Sequence, residues 1–287
     1  MRSIVITGDD FGLSAAVNRG ILEAHERGVL TAASLMVTGD AFEEAVALAK
    51  AHPRLAVGLH LAVSSARSLL PPAEISRLVD PATGRFSSAL VKTGLVYQIN
   101  RAARCQLRME IRAQLEKFRA TGLRLSHVDG HEHMHLHPVA LSALIEFSGE
   151  FGIQVIRLPG EELCLALAVD RSRAVGKTAL AVIFEALGLY ARKRLRSAGI
   201  RWIDRVYGLL ASGCVTEEYL LGLIPHIRAD CVEIYAHPTA DSGPQRDRLG
   251  ASREQLAALL SEKVRRALLM NRFTLTTPLE AVGCPAF

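Results

Sequence analysis

The segment Ser126-His127-Val128-Asp129-Gly130-His131-Glu132-His133-Met134-His135-Leu136-His137-Pro138 packs five of the chain's ten histidines into eleven residues, with two carboxylates among them. Imidazole is the commonest side-chain ligand for borderline metals, and a neighbouring carboxylate can orient it or balance the ion's charge. On an extended backbone alternate residues share a face, so His127, Asp129 and His131 are expected to point the same way. Gly130 then permits a turn, and Pro138 suits the first turn of a following helix. A solvated His-rich loop is the bland alternative. One short segment rarely completes a metal site, so partners must come from elsewhere in the chain.

The elements that would supply them alternate regularly. Ser3–Thr7 reads as a buried strand ended by Gly8, with Asp9 and Asp10 next. Ser14 caps a helix to Arg27 that Gly28 stops. Ala33–Val37 is a second strand, Asp40 caps a helix through Ala51, and Leu55–Leu61 is a third strand carrying His60. Residues 64–88, with Pro71, Pro72 and Pro81, form a long loop of the kind that is functional or disordered. A helix over 92–120 leads to a strand over 123–128, which delivers the His-rich segment. Helix 138–151, strand 153–157, strand 200–206, helix 216–224, strand 231–236, helix 252–270 and strand 273–276 complete the pattern. Such alternation implies parallel strands with crossover helices. The expected architecture is a (β/α) barrel of seven or eight parallel strands, a single domain over 1–287 with a helical insertion at about 161–197. A doubly wound sheet ranks second.

In parallel α/β folds, active groups gather at the C-terminal ends of strands. Here those ends carry Asp9-Asp10, His60, His127 to His131, and His237. Each has an ordinary explanation as a cap or a hydrogen-bonded structural residue. Their coincidence at independent strand ends favours a metal-dependent hydrolase. Two imidazoles and one carboxylate leave open positions on a divalent cation. Of two consecutive aspartates, one can ligate and the other act as base, and a cation relieves their mutual repulsion. A separate histidine across the pocket can protonate a departing amine. Two nitrogen ligands favour zinc, nickel, cobalt or iron over magnesium, with zinc first.

Composition narrows the alternatives. Aromatic content is 5% with a single tryptophan, Trp202, which argues against a stacking platform for nucleic acid. The five cysteines, Cys105, Cys164, Cys214, Cys231 and Cys284, form no CxxC pair, so a reducing, cytoplasmic setting is expected. The first apolar run is too short for a signal peptide. No run of roughly eighteen clean apolar residues marks a spanning helix. Thr178–Tyr190 is an apolar helical run followed by Arg192, Lys193, Arg194 and Arg196. Read alone, it is a core helix with a basic end that complements the helix dipole; the alternative is an amphipathic lid meeting an anionic membrane surface.

Four ordered motifs, Thr7-Gly8-Asp9-Asp10-Phe11-Gly12, Val57-Gly58-Leu59-His60, Ser126-His127-Val128-Asp129-Gly130-His131-Glu132-His133 and Glu233-Ile234-Tyr235-Ala236-His237-Pro238, resemble the YdjC-like carbohydrate deacetylases. The resemblance spans nearly the whole chain. It implies a deformed (β/α) barrel and removal of an acetyl group from an N-acetylated amino sugar. Asp10, His60 and His131 would bind the metal, with zinc leading and magnesium left open. Asp9 would be the general base and His237 the general acid. His127 and Asp129 would orient ligands from the pocket wall, while His133, His135 and His137 serve packing, capping or solvent.

Within the family, Leu70-Pro71-Pro72, Leu78-Val79-Asp80, Gly84-Arg85-Phe86 and Asp204-Arg205-Val206-Tyr207-Gly208-Leu209 are most similar to deacetylases associated with hopanoid biosynthesis. That narrower likeness implies N-acetylglucosaminyl-bacteriohopanetetrol as substrate and contact with the inner face of the membrane. Soluble chitooligosaccharides, or sugar binding without catalysis around a structural ion, are the alternatives. One departure is the run Leu61-Ala62-Val63 after His60, where many members carry Leu-Asn; it suits either a lipid-linked sugar or plain core packing.

Overall fold

Strand β1 (Arg2–Phe11) is the axis of the molecule. The computed structural model describes residues 2–241 and 252–283, so Cys284 lies outside the described residues. After β1 come α1 (Ala15–Arg27), β2 (Ala32–Leu35), α2 (Phe42–Ala51), β3 (Ala56–Leu61), α3 (Leu90–Ile99), α4 (Arg101–Ala120), β4 (Val128–Gly130) and α5 (Pro138–Phe151). The second half adds α6 (Leu163–Val169), α7 (Ala174–Ser197), β5 (Arg205–Tyr207), α8 (Glu217–Leu223), β6 (Cys231–Ala236), α9 (Arg253–Leu260), α10 (Glu262–Met270), β7 (Phe273–Leu275) and α11 (Pro278–Ala281).

Among the described residues all seven strands are parallel, in the order β4-β3-β2-β1-β6-β5, with β7 also paired to β1. Ser3–Gly8 of β1 run beside β6, while Arg2–Ile4 pair with β7. Buried on both faces, β1 needs a continuous apolar run, and Ile4, Val5 and Ile6 supply it. The sheet curls into a half-barrel. Between β4 and β5 only single pairs, Val128–Ile156 and Val155–Arg201, carry the arc. The strands expected at 153–157 and 200–206 shrink to these bridges and the three residues of β5.

Several boundaries differ from expectation for local reasons. Ser14 caps α1 and Gly28 ends it, as its sequence dictates. Asp40 is not the cap of α2; Ala41 holds that position without a side-chain bond. The helix expected over 92–120 breaks at Asn100, whose side chain accepts from Ala103 N and restarts the chain as α4. Ser261 divides the helix expected over 252–270 in the same way. The 64–88 loop is ordered: Ile75, Leu78, Val79 and Phe86 are buried, and the buried Glu110 carboxylate of α4 accepts from Leu69 N and Leu70 N.

Helix α7 is not the core helix that its apolar run suggests. Only Lys177, Gly188, Ala191 and Leu195 are buried. Val175, Val182, Ile183 and Leu189 are 86%, 65%, 53% and 60% exposed. The helix is also longer than the run read from sequence, and by length and mean hydropathy (1.4) it is long and apolar enough to cross a membrane.

Candidate metal centre

β1 continues past Gly8, and its register with β2 shifts between Gly8 and Phe11. Asp9 and Asp10 sit in this irregularity, and Asp10 takes φ 64°, a left-handed conformation that aspartate tolerates better than most residues. In a regular strand the two carboxylates would face opposite ways; a bulge re-aims one of them. Both therefore reach the same buried space around His60. Asp10 Oδ1 lies 3.3 Å from His60 Nε2 and 3.1 Å from His131 Nδ1. Asp9, His60 and Asp129 form a second group whose ligand atoms lie within 4.8 Å of one another.

The β3–β4 register sets His60 opposite Asp129. His60 Nδ1 bonds Asp129 Oδ1 at 2.7 Å, which aims Nε2 at Asp10. Asp129 Oδ2 accepts Ser34 Oγ at 2.7 Å. His127 stands behind this pair, with Ser126 Oγ 2.7 Å from Nδ1 and Ser34 Oγ 3.0 Å from Nε2. Gly58 makes room for it: a Cβ there would sit 2.4 Å from His127 Cε1 and 2.6 Å from its carbonyl oxygen. The turn expected at Gly130 comes instead at Glu132 and His133, both with positive φ, while Gly130 is extended. Gly130 is small for another reason, because a Cβ would meet His135 Cβ and Leu61 O at 3.0 Å.

Sequence reasoning missed two members of the site. Arg157, fully buried, grips Asp9 through two bonds of 2.7 and 2.9 Å. The same guanidinium lies 2.6 Å from Asp129 Oδ2 and 2.8 Å from Glu233 Oε1. Thr7 Oγ1 also donates to Glu233, at 2.6 Å. Arg157 closes the apolar run 153–157, so the strand-end rule that found the histidines also pointed here. Glu233 interrupts an otherwise apolar strand, another readable signal.

His237 and the other histidines of the tract, His133, His135 and His137, make the following contacts. His237, half-buried, packs its ring edge-on against Tyr235 at 5.9 Å between centroids. Tyr235 Oη bonds His133 Nε2 at 2.8 Å, and Phe184 of α7 lies edge-on to that imidazole. His135 Nε2 bonds Arg157 O, and His137 caps α5 while bonding Gly94 O. Ala62 and Val63 are fully buried, so the departure after His60 faces the core.

Electrostatics follow from this packing. Burial works against charge on Asp10, but His131 and then His60 outweigh it and hold the carboxyl well below its ordinary range. Burial also opposes charge on His60, yet Asp129 first, and Asp10 through its hydrogen bond, carry the imidazole up to about 10. His127 is pushed down by burial. Asp9, Asp10, Asp129 and Glu233, each at most 2% exposed, thus outnumber the two buried cations beside them, the Arg157 guanidinium on Asp9, Asp129 and Glu233 and the raised His60 imidazole on Asp10 and Asp129. A buried surplus of carboxylates needs bound protons or a cation. Asp10 Oδ2 is buried without a hydrogen-bond partner. The ligand atoms of Asp10, His60 and His131 lie within 4.8 Å of one another, and the donor set, one oxygen and two nitrogens, suits a divalent ion. The residues present fit a metal.

The parallel α/β half-barrel thus carries, at its strand ends, a buried Asp-His-His cluster that could hold a metal ion. The chain belongs to the YdjC-like protein family, whose model matches residues 3–270. It is 34% identical over 256 residues to a carbohydrate deacetylase of Mus musculus, covering 84% of this chain and 79% of that one. It is 25% identical over 238 residues to a carbohydrate deacetylase of Thermoanaerobacter pseudethanolicus, covering 83% and 81%. A carbohydrate deacetylase of Brevibacillus brevis is 40% identical over 152 residues, 53% of this chain and only 58% of that protein. In fold, the chain is similar to a proposed cellobiose-phosphate cleavage protein of Enterococcus faecalis V583, with TM-score 0.72, 23% identity and coverage of 98% and 99%.

Proposed function

We propose that this protein is a metal-dependent hydrolase that removes the N-acetyl group from an amino sugar. The observation that carries the reading is the buried carboxylate surplus gathered around Asp10, His60 and His131. These three residues would hold the ion, with zinc first and magnesium as the alternative. When bound, such an ion polarises a carbonyl oxygen and makes a neighbouring water more acidic. Asp10 supplies the anionic ligand and His60 a nitrogen oriented by Asp129. Asp9, fixed by the Arg157 fork, receives the proton from the attacking water through its unshared lone pairs. His237 delivers a proton to the departing sugar nitrogen, and His127 buttresses Asp129 through Ser34.

The names of the relatives support a carbohydrate as substrate. The narrower motifs favour N-acetylglucosaminyl-bacteriohopanetetrol over soluble chitooligosaccharides, with the enzyme at the cytoplasmic face of the membrane. The 64–88 loop and α3 frame a cavity of about 1050 Å³ whose lining reaches Glu132, the residue after His131. It has room for a glycosyl unit and part of its aglycone. The test is acetate release from the glycosylated hopanoid and from chitooligosaccharides, with and without chelator. Chelator should abolish release, and Asp9→Asn should lower it by about 10²-fold or more with metal content unchanged. Release that survives both would contradict the reading.

A further inference from the structure

Helix α7 carries a charge pattern that the catalytic reading does not use. Between Asp170 and Ser197 there are seven cations, Arg171, Arg173, Lys177, Arg192, Lys193, Arg194 and Arg196, against two carboxylates, Asp170 and Glu185. Their net charge of +5 equals that of the entire chain, so the other residues balance. Lys177 is buried and spent on Asp170 at 2.6 Å. The other cations stand in two groups, before Ala174 and after Ala191. Between the groups the solvent side is apolar: Val175, Leu180, Val182, Ile183, Leu189 and Tyr190 are all exposed, and Glu185 is the single exposed charge.

We propose that α7 lies flat on an anionic lipid membrane, with its apolar face in the acyl boundary and its two basic ends on headgroup phosphates. A long apolar face with cations at its margins is what an interfacial helix requires, because lysine and arginine stems reach from the apolar layer to the headgroups. A second copy of the chain fits poorly. Both ends of the face are cationic, so antiparallel and parallel pairing alike bring like charges together. A spanning arrangement also fits poorly. The inner side of α7 rests on the protein through Gly188, Ala191 and Leu195, and Phe184 packs on His133, with ring centroids 5.4 Å apart. That contact places the membrane-facing helix directly over the tract that bears His131, so docking would bring lipid-borne sugars to the centre.

The experiment is co-sedimentation of the full chain with vesicles of phosphatidylcholine alone and with a third phosphatidylglycerol, at low and high salt. The expected result is binding to the anionic vesicles about tenfold or more above the neutral ones, weakened by salt. Val182→Glu with Ile183→Glu removes binding to both. Arg171→Glu with Lys193→Glu removes the anionic preference. All four positions are exposed, so the fold is retained. Protein left in the supernatant overturns the proposal, as does binding that neither variant changes. So does a dimer, seen by sedimentation velocity, that Val182→Glu with Ile183→Glu dissociates. Acetate release from a water-soluble substrate, read on the same samples, is unchanged by these variants. Failure of docking is thereby told apart from failure of the hydrolase assignment.

Discussion

Arg157 has no solvent and three carboxylate neighbours, Asp9, Asp129 and Glu233. A buried ion pair is a doubtful source of net stability, but removing one partner strands the rest. Arg157→Met is expected to cost about 3–5 kcal/mol, read from urea denaturation. Arg157→Lys keeps the charge but loses the fork on Asp9. It should recover part of the stability and leave acetate release low, because Asp9 is then free to turn. Equal stability of wild type and Arg157→Met would show that the carboxylates are neutralised in another way. At this scale the candidate ligands were readable as strand-end polar residues. The network binding them was not, since which carboxylate an arginine meets depends on strand order and register.

Three short sequence features at the level of elements place the chemistry. The irregularity at Asp9-Asp10 turns consecutive side chains into one space; from sequence, Gly8 looked like a strand end, because glycine signals both breaks and bulges. Gly58 keeps β3 clear of His127. Gly58→Ala should cost about 1–3 kcal/mol, since His127 and its own backbone oxygen must shift, and calorimetry would measure it. Asn100 separates two helices that hydrophobic periodicity ran together; Asn100→Ala should lower stability by about 1 kcal/mol through loss of the α4 cap. Helix α7 shows the opposite failure. Its apolar run was rightly seen as helical, but periodicity cannot tell a helix packed inside a protein from one that offers its apolar side outward.

For the molecule as a whole, burial of histidine sets an acid limit. His135 is fully buried, and burial holds its imidazole down to about 4 while Nε2 bonds the Arg157 carbonyl oxygen. The unfolded chain takes up this proton below about pH 6.5, but the folded chain does not until about 4. The contribution of the neutral ring is therefore complete above pH 6.5 and falls as pH drops towards 4, by roughly 3 kcal/mol at 1.36 kcal/mol per unit. Stability measured from pH 7 to 4 should fall less steeply in His135→Asn than in wild type. His60, raised by its carboxylates, contributes with the opposite sign: its share is lost as pH rises towards 10. Comparison of wild type with His135→Asn isolates the first effect. The parallel α/β sheet was legible in the strand–helix alternation, which left a closed barrel and a doubly wound sheet both open. The thin arc between β4 and β5 was not, because isolated bridges leave no periodic trace in sequence.

The central claim, that Asp10, His60 and His131 together seat one divalent cation, is tested most directly by metal content. Wild-type protein loaded with zinc and dialysed should retain one ion per chain by elemental mass spectrometry, and His131→Gln, folded by circular dichroism, should retain less than about a tenth of that. A wild-type protein that retains none, or a His131→Gln variant that retains a full equivalent, would contradict the account.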